Sequence, residues 1–569
     1  MRKAQLRLRP ILLALVLTAA CGTSKPDYPE IDLDLRPETA KILSGTTVKI
    51  WVTVLHSGDQ RVTWSLSGTG CSGGSCGTIT SDGLYTAPAS VPGLLVVTAR
   101  ATANADPSKS AIATITVVQP GTVEWTWISG SDLRFAPGDF GTKGVPVPSN
   151  APPARNSSVR WLGLGDTLWL FGGECRTETD GDAIRNDLWR FDPATREWTW
   201  MSGSSATEQP GLYGTKGVSS ATNVPGARIF AASGAGLGGD LWLFGGGGYD
   251  SAGRYGDLND LWKFDQTTGE WTWVSGSDFR DSPGIYGTKG VPSPSDVPGA
   301  RNSAAAWSDA AGHFWIFGGS GWDSEGHAFL LNDLWEFDPA TQEWTWVSGS
   351  NIIAHPGQYG ARNVPAPTNV PGARRSGAAA VGPNGHFWLF GGKGYASGPA
   401  PDYLNDLWEF DPAASLWTWI SGSDSVDPPA NYGTQWLPLP SNAPAGRTQA
   451  VVWLDAAGVL WLFGGDGSDS VSHMGVLNDL WKFDTVNPDW VWVSGSESVN
   501  QIGIYGTLGQ SDPLNIPGAR ASSLSWLDSQ GRYWLFGGGG MDSTIEAGYL
   551  NDLWLFDQEP WVAPRTQHR

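Results

Sequence analysis

Residues 168–173 read Leu-Trp-Leu-Phe-Gly-Gly, and this stretch decides the fold because close copies of it recur at a constant interval. Its Phe-Gly-Gly part begins every 73 residues, at Phe171, Phe244, Phe317, Phe390, Phe463 and Phe536. Two other signatures keep the same interval: Asn-Asp-Leu-Trp, first at residues 186–189, and Trp-x-Trp, first at residues 125–127. Six copies without an insertion predict a repeat architecture.

Each copy contains four runs with the composition of β-strands. In the first copy these runs are 155–164, 167–171, 187–191 and 198–202. Four short strands per repeat, arranged in a ring, are typical of a β-propeller. Gly, Ser, Thr, Trp and Pro also displace the residues that favour helices. The sequence therefore predicts an all-β chain containing a six-bladed propeller.

The two ends of the repeat array complement each other. The last copy, which starts at Arg520, has three strand-like runs and no Trp-x-Trp after them. The first Trp-x-Trp, by contrast, precedes any first strand. We therefore expect residues 123–129 to form the outer strand of the sixth blade, which would close the ring and leave no open edge.

The repeat resembles a known family. The double glycine after the second strand, followed by Phe-Asp-Pro-x-Thr (residues 191–195 in the first copy) and a tryptophan, resembles the Kelch family over residues 125–557. The period of 73 residues is longer than the usual Kelch repeat of about 50 residues. The resemblance implies a Kelch-type propeller.

Residues 31–118 form a separate region of short alternating runs, which predicts a β-sandwich. Residues 77–88 resemble the bacterial Ig-like domains of surface proteins, which serve mostly as spacers. Within this region Cys71 and Cys76 are expected to close a small disulfide loop, because a metal site would need a second pair of ligands. Cys175 is left as a single thiol.

The N-terminus resembles an export signal. A basic start with Arg2 and Lys3 precedes ten apolar residues, 11–20, which are too few to span a bilayer. Residues 17–21, Leu-Thr-Ala-Ala-Cys, resemble a bacterial lipoprotein signal, although Thr18 departs from the usual aliphatic residue. The resemblance implies cleavage before Cys21, lipidation such as palmitate on that thiol, and, with Gly22 next, the outer membrane of a Gram-negative bacterium. An ordinary secretory signal is the alternative.

These features predict five segments: a lipoprotein signal peptide (1–20), a tether (21–30), the Ig-like domain (31–119), the propeller (122–561) and a tail (562–569). The net charge of −20 argues against nucleic acid as a partner. No apolar run reaches the roughly 20 residues of a membrane span, so a lipid is the only predicted membrane anchor. We expect a monomer.

Residues that recur in all six copies are expected to support the scaffold, whereas a site for one ligand should break the symmetry. By this criterion 24 of the 33 tryptophans are structural. Two charged series are also complete: Arg155, Arg228, Arg301, Arg374, Arg447 and Arg520, and Asp187, Asp260, Asp333, Asp406, Asp479 and Asp552. We expect them to form ion pairs, and a ring of six cations that binds an anion is the alternative. The aromatic series Phe140, Tyr213, Tyr286, Tyr359, Tyr432 and Tyr505 is interpreted as loop packing.

The copies differ in the long connections that share one face of the predicted propeller. One equivalent position holds Arg176, Tyr249, Trp322, Tyr395, Ser468 and Met541, and Trp436 has no repeated counterpart. Tyr249, Trp322, Tyr395 and Trp436 are therefore the candidate ligand-binding residues. A stacking platform for polysaccharide, a protein contact and simple loop packing all remain open.

The sequence shows no catalytic or metal-binding constellation, since its few histidines are not clustered in a ligand set. Galactose oxidase is a Kelch-like copper enzyme, but its Tyr/His/Cys constellation cannot be placed on this sequence. We therefore predict no cofactor, no metal and no catalytic residue. The predicted function is that of a cell-envelope lipoprotein, a non-catalytic binding or scaffold module that presents its long-loop face to a protein or polysaccharide. A galactose-oxidase-like or other propeller enzyme acting on carbohydrate is the alternative.

Overall fold

The computed structural model describes residues 30–557 except 69–70, 72, 90, 92–93, 119–123, 178–180 and 486–487. Two compact units are present, and the first gives way to the second after Val117. Both are built of antiparallel β-sheets, with short 3-10 turns at Gly73–Cys76, Leu164–Asp166 and Leu237–Gly239. The described residues contain no helix long and apolar enough to cross a bilayer. Cys21 and the predicted signal peptide and tail lie outside the described residues.

The first unit contains three sheets, and its buried side chains include Leu35, Tyr85, Val97 and Ile115. Residues 48–52 form one alternating run of the sequence, but they are divided between two strands at the fully buried Ile50, because the two halves pair in different sheets. The strands are Asp32–Arg36, Thr39–Leu43, Thr47–Lys49, Trp51–Leu55, Val62–Gly68, Thr78–Ile79, Leu84–Thr86, Leu94–Ala103 and Ser110–Val118.

The predicted disulfide between Cys71 and Cys76 is confirmed, with an S–S distance of 2.02 Å. The loop that it closes is tied to the core, because the buried hydroxyl of Tyr85 donates a hydrogen bond of 2.7 Å to the Cys76 carbonyl oxygen.

The second unit consists of repeated blade-like sheets, and the strands of the first and last repeats are joined in one sheet. We number the repeats one to six from the arginines at 155, 228, 301, 374, 447 and 520. The second strands are Leu168–Thr177, Leu241–Tyr249, Phe314–Trp322, Phe387–Tyr395, Val459–Ser468 and Tyr533–Met541. The third strands are Gly181–Asp192, Tyr255–Asp265, Ala328–Asp338, Pro401–Asp411, Met474–Asp484 and Ala547–Asp557. The fourth strands are Glu197–Ser202, Glu270–Ser275, Glu343–Ser348, Leu416–Ser421, Trp490–Ser494 and, from the N-terminal side, Glu124–Ser129.

The first strand of every repeat is split into two pieces, not continuous as the sequence predicted. The pieces are Arg155–Asn156 and Val159–Leu162, Arg228–Ile229 and Ala232–Ala235, Arg301–Asn302 and Ala305–Ser308, Arg374–Arg375 and Ala378–Val381, Arg447–Thr448 and Val451–Leu454, and Arg520–Ala521 and Leu524–Leu527. The residue that follows each first piece has a left-handed backbone, with φ between 52° and 58°.

These left-handed residues are joined by backbone hydrogen bonds from one repeat to the next. Ser303, for example, donates its N–H to the Phe230 carbonyl at 2.8 Å, and Ser376 donates to Ser303 at 2.8 Å. Around the unit the donors are Ser157, Phe230, Ser303, Ser376, Gln449 and Ser522, and Ser157 donates to Ser522. The six bonds therefore form a closed ring, which explains why the first strands cannot run on uninterrupted.

The double glycine of Phe-Gly-Gly lets neighbouring repeats approach closely. Gly245 and Gly246 both have positive φ, and the pairing of the second and third strands shifts register at this point. A Cβ on Gly245 would lie 2.7 Å from the carbonyl oxygens of Leu258 and of Arg301 in the next repeat. The second strand continues beyond this bulge, so the long connection expected after Phe-Gly-Gly is mostly a hairpin. In repeat three only residues 323–327 connect its two strands.

Aromatic contacts also link consecutive repeats. The first tryptophan of each Trp-x-Trp meets the Phe-Gly-Gly phenylalanine of the preceding repeat; Trp344 and Phe244, for example, have ring centroids 5.3 Å apart. The other pairs are Trp271–Phe171, Trp417–Phe317, Trp490–Phe390, Trp125–Phe463 and Trp198–Phe536. The last pair joins repeat one to repeat six.

The strand Glu124–Ser129 pairs antiparallel with the third strand of repeat six. Trp125 lies opposite Phe556 and Trp127 opposite Trp554, which is the register that Trp198 and Trp200 adopt in repeat one. Val123, the first residue of the predicted closing strand, lies outside the described residues. The N-terminal side of the unit thus supplies the fourth strand of its last sheet.

We expect Trp125→Ala and Trp198→Ala to destabilise the second unit equally, since both remove a buried tryptophan from equivalent places. Each should lower the free energy of unfolding by about 3–5 kcal/mol. Denaturant unfolding monitored by far-UV circular dichroism measures both. If Trp198→Ala shifted the transition and Trp125→Ala did not, the N-terminal strand would not be part of the folded ring.

Candidate functional site

The repeated arginines and aspartates form buried ion pairs within each repeat. In repeat three, Arg301 donates from Nη1 to Oδ1 of Asp333 at 2.7 Å and from Nη2 to Oδ2 at 2.8 Å. Nε of Arg301 donates to the Gly299 carbonyl, and Nη1 also donates to the Gly318 carbonyl. The other pairs are Arg155–Asp187, Arg228–Asp260, Arg374–Asp406, Arg447–Asp479 and Arg520–Asp552.

Two aromatic donors complete these pairs in five of the six repeats. Trp335 donates its indole N–H to Oδ2 of Asp333 at 2.6 Å, and the hydroxyl of Tyr286 donates to the same oxygen at 2.5 Å. Burial and the neighbouring Asp333 raise the pKa of Tyr286 well above its usual range, so the phenol keeps its proton. The sequence suggested loop packing for these tyrosines, and the structure adds a hydrogen bond from each of their hydroxyls to a repeated aspartate. Only Phe140, in repeat one, lacks the hydroxyl.

Burial acts to raise the pKa of Asp187, but the Arg155 guanidinium outweighs that effect and holds the pKa below its usual range. Each guanidinium is thus neutralised by its own carboxylate and hydrogen-bonded to backbone carbonyls. Four of the five N–H donors of each guanidinium are committed to its own carboxylate and to backbone carbonyls, which assigns the six arginines to the scaffold.

The second unit has two distinct faces. The "loop face" carries the hairpin tips between second and third strands and the connections from each fourth strand to the next first strand. Tips and connections pack together, since Gly211 donates its N–H to the Asp250 carbonyl and Ser251 donates to Asp278. The "turn face" carries short turns such as residues 338–343. Most of the large apolar side chains exposed among the described residues of this unit lie on the loop face.

The predicted three-ring platform is only partly present on the loop face. Tyr395 is 8% exposed and packs with Leu330 and Ala373, so it offers no ring face to a ligand. Tyr249 is half-buried beside Tyr255, with 5.6 Å between ring centroids, and Trp322 is half-buried at the end of its strand. Tyr395 must therefore be removed from the platform, because sequence position alone did not reveal the apolar cluster beneath it.

A lysine or arginine fills the same place on the loop face in repeats one to four. Lys289, in repeat three, lies 4.3 Å from the ring centroid of Trp346 and donates to the Gly349 carbonyl at 2.7 Å. Lys143 and Lys216 make the equivalent contacts, as does Arg362. We call this residue the plug cation. Its contact combines a cation–π interaction with a hydrogen bond to a carbonyl.

Repeats five and six lack the plug cation. The equivalent residues are Gln435 and Leu508. Among the described residues no cation lies over Trp492, the ring that a plug would cover in repeat five, and Gln435 makes no hydrogen bond to the Gly495 carbonyl. Aligning the six copies would have found this change, but the sequence argument singled out only Trp436, the next residue.

Trp436 occupies a strained position. Its φ is +65°, and the equivalent residues of the other repeats are Gly144, Gly217, Gly290, Asn363 and Gly509. A bulky side chain with a left-handed backbone is an outlier of the kind that clusters at functional sites. The half-buried ring packs on the core and lies 5.0 Å from Nζ of Lys482.

A cavity of about 340 Å³ opens where the plug is missing. Gln435, Trp436 and Gly495 line it on the repeat-five side, and Ile502 and Leu514 line it from the connection to repeat six. Both of these apolar residues break the repeat: proline occupies the first position and serine or threonine the second in the five other copies. We call this cavity the five–six pocket, and it is the candidate binding site.

A second cluster lies on the turn face. Donor atoms of Asp309, His313 and Glu336 lie within 4.8 Å of one another, as metal ligands do. However, Asp309 Oδ2 accepts the indole N–H of Trp315, and Asp528 makes the same bond to Trp534 while pairing with Arg532 at the position of His313. The same hydrogen-bonded turn therefore forms in repeat six with an arginine in place of the histidine, so a metal is not needed to explain the cluster.

Comparison with protein families places this chain among the Kelch-repeat proteins. Residues 145–360 and 215–435 match the KLHDC2/KLHL20/DRC7 Kelch-repeats domain, and together the two matches span about half of the chain. The chain belongs to the Kelch-repeat family. The solved structure of YjhT is similar with a TM-score of 0.42 and 15% sequence identity, covering 71% of this chain and 95% of that one. No curated protein matches the sequence.

Proposed function

We propose that this chain is an exported lipoprotein in which an Ig-like domain precedes a six-bladed Kelch propeller. The closed ring of backbone hydrogen bonds, the six Trp–Phe contacts and the pairing of Glu124–Ser129 support six blades closed by the N-terminal strand. The sheets and the disulfide of the first unit support an Ig-like spacer at residues 31–119.

The lipid anchor is supported by the sequence of residues 1–22. Lipidation of Cys21 would hold the chain on the outer membrane of a Gram-negative cell, with residues 21–30 as the tether. The lipid would be the only contact with the membrane.

Radiolabelled palmitate fed to expressing cells should label the wild-type chain, and Cys21→Ser should abolish the label because the acylated thiol is gone. Cys175→Ser is the matched control, since this buried thiol has no role in anchoring. Equal labelling of all three proteins, or none of the wild type, would contradict the lipoprotein assignment.

We infer that the propeller is a non-catalytic binding module that holds a protein partner at the five–six pocket. One observation carries this proposal: in repeat five, where the chain supplies no cation at the plug position, an apolar-walled cavity opens. In repeat five a lysine or arginine of the partner would occupy the place that Lys289 occupies in repeat three. The net charge of −20 favours the approach of a cationic partner.

The apolar rim favours a protein over a polysaccharide at this site. Ile502 and Leu514 are both partly exposed, at 38% and 39%, beside the half-buried Trp436. Exposed apolar patches of this kind mark contacts with proteins. A polysaccharide would need stacked ring faces, and the burial of Tyr395 weakens the platform predicted for it.

Gln435→Lys should close the pocket from within, because the new lysine can adopt the contacts of Lys289. The test uses fluorescence polarisation with a panel of peptides that place lysine or arginine beside apolar residues. We expect wild-type protein to bind members of this panel at least tenfold more tightly than the same peptides with glutamine in place of the basic residue. Gln435→Lys should remove that preference.

Lys289→Gln is the matched control. It removes the plug cation of repeat three, where Gly290 stands in place of Trp436 and the two apolar wall residues are absent. It should leave peptide binding unchanged. Binding that survives Gln435→Lys would place the site elsewhere, and a panel with no preference for basic peptides would contradict a protein partner of this chemistry.

A further inference from the structure

The centre of the second unit contains a cavity of about 430 Å³ lined by the first strands of all six repeats. Most of the lining side chains are small, such as Ser233, Ala306 and Ala379. No aspartate or glutamate occurs among the residues that line it, and Arg160 is their single charged member. We call this space the axial cavity.

Arg160 breaks the symmetry of the repeat. The equivalent residues in repeats two to six are Ser233, Ala306, Ala379, Val452 and Ser525, all small or neutral. An arginine that occurs in one copy of six is not needed to build the sheet, because the other five sheets form without it. Its presence calls for an explanation outside the scaffold.

The charge of Arg160 is uncompensated within the described structure. Its guanidinium forms no ion pair and no hydrogen bond there, whereas the scaffold arginine of the same repeat, Arg155, is bonded to Asp187 and two carbonyls. The titratable group near Arg160 is the phenol of Tyr533, which carries no negative charge since burial raises its pKa. Burial also lowers the pKa of Arg160. Arg160 is half-buried and lines the cavity, so its unpaired guanidinium is away from bulk water yet accessible to a ligand there.

We propose that Arg160 binds the oxyanion of a small molecule, a carboxylate or a phosphate, inside the axial cavity. The planar guanidinium presents paired N–H donors that match both groups. Ser233 and Ser525 line the cavity at the same level on the two neighbouring repeats. The Ser233 hydroxyl donates to the Arg160 carbonyl oxygen at 2.9 Å, so the guanidinium is the group that would bind the anion. The volume is within the roughly 300–1,000 Å³ of small-molecule sites.

This site is separate from the five–six pocket, because the two cavities have no lining residue in common. A small anion in the axial cavity would add a second ligand to the protein-binding module. The two proposals can therefore fail independently.

The test measures binding of inorganic phosphate and of citrate to the full chain by isothermal titration calorimetry, at constant ionic strength held with chloride. We expect one saturable site for at least one of the two anions, and their relative affinities distinguish phosphate from carboxylate. Arg160→Gln should weaken binding at least tenfold, and Arg160→Lys should weaken it less, since it keeps the charge but loses the planar donor pair. Arg532→Gln, which removes a partly exposed arginine on the turn face, should change nothing.

Ser233→Asp provides a second test that keeps Arg160 in place. Ser233 lines the cavity at the level of Arg160 on the neighbouring repeat, so a carboxylate there would compete with a free anion for the guanidinium. This variant should lose anion binding. Equal affinity in the wild type, Arg160→Gln and Ser233→Asp would overturn the proposal, as would the absence of saturable binding of both anions.

Discussion

A buried arginine–aspartate pair in each repeat is the interaction on which the rest of the second unit depends. The arginine begins the first strand and the aspartate lies in the third, so the pair joins the inner edge of each sheet to its middle. Tyrosine and tryptophan donors use the remaining lone pairs of the carboxylate in five of the six repeats. Two buried charges are tolerated here because the guanidinium and the carboxylate pair through two hydrogen bonds and most of their other donors and acceptors are also bonded.

Around this unit the chain places small or conformationally free residues wherever repeats approach each other. The double glycine admits the backbone of the next repeat, and the left-handed residue after each first piece turns its amide toward its neighbour. Large aromatic rings then fill the space between sheets farther from the axis. Close backbone contact at the centre and aromatic packing outside together explain a constant period of 73 residues.

Much of this could be predicted from the sequence because repetition exposes it. The strand-bearing signatures, the aromatic packing between repeats and the Kelch family follow from residues that recur six times. The bond from Tyr286 to Asp333 could not be predicted, since it spans 47 residues and depends on the path of a connection. The burial of Tyr395 was equally hidden, because Leu330 and Ala373 reach it from separate segments. The missing plug at Gln435 and the single Arg160 could have been found by aligning the six copies. The sequence analysis missed them because it looked for complete series and for aromatic residues.

The repeated residues thus build a rigid scaffold, and the residues that depart from the repeat are the ones with uncommitted chemistry. In repeat five an absent cation leaves a cavity, and in repeat one an extra cation faces an axial cavity without a counter-charge. Both departures can be recognised because the equivalent positions in other repeats show the usual arrangement: a plug cation bonded to a carbonyl, and a small or neutral residue at the axis.

The claim that the repeated arginines belong to the scaffold is tested most directly by comparing Arg301→Met with the double variant Arg301→Met/Asp333→Leu in denaturant unfolding. The single change should cost about 3–5 kcal/mol, because it leaves a buried carboxylate unpaired, and the double change should recover much of that loss. A single variant as stable as the wild type would show that Arg301 is not needed for the fold, and would return the ring of arginines to consideration as a binding site.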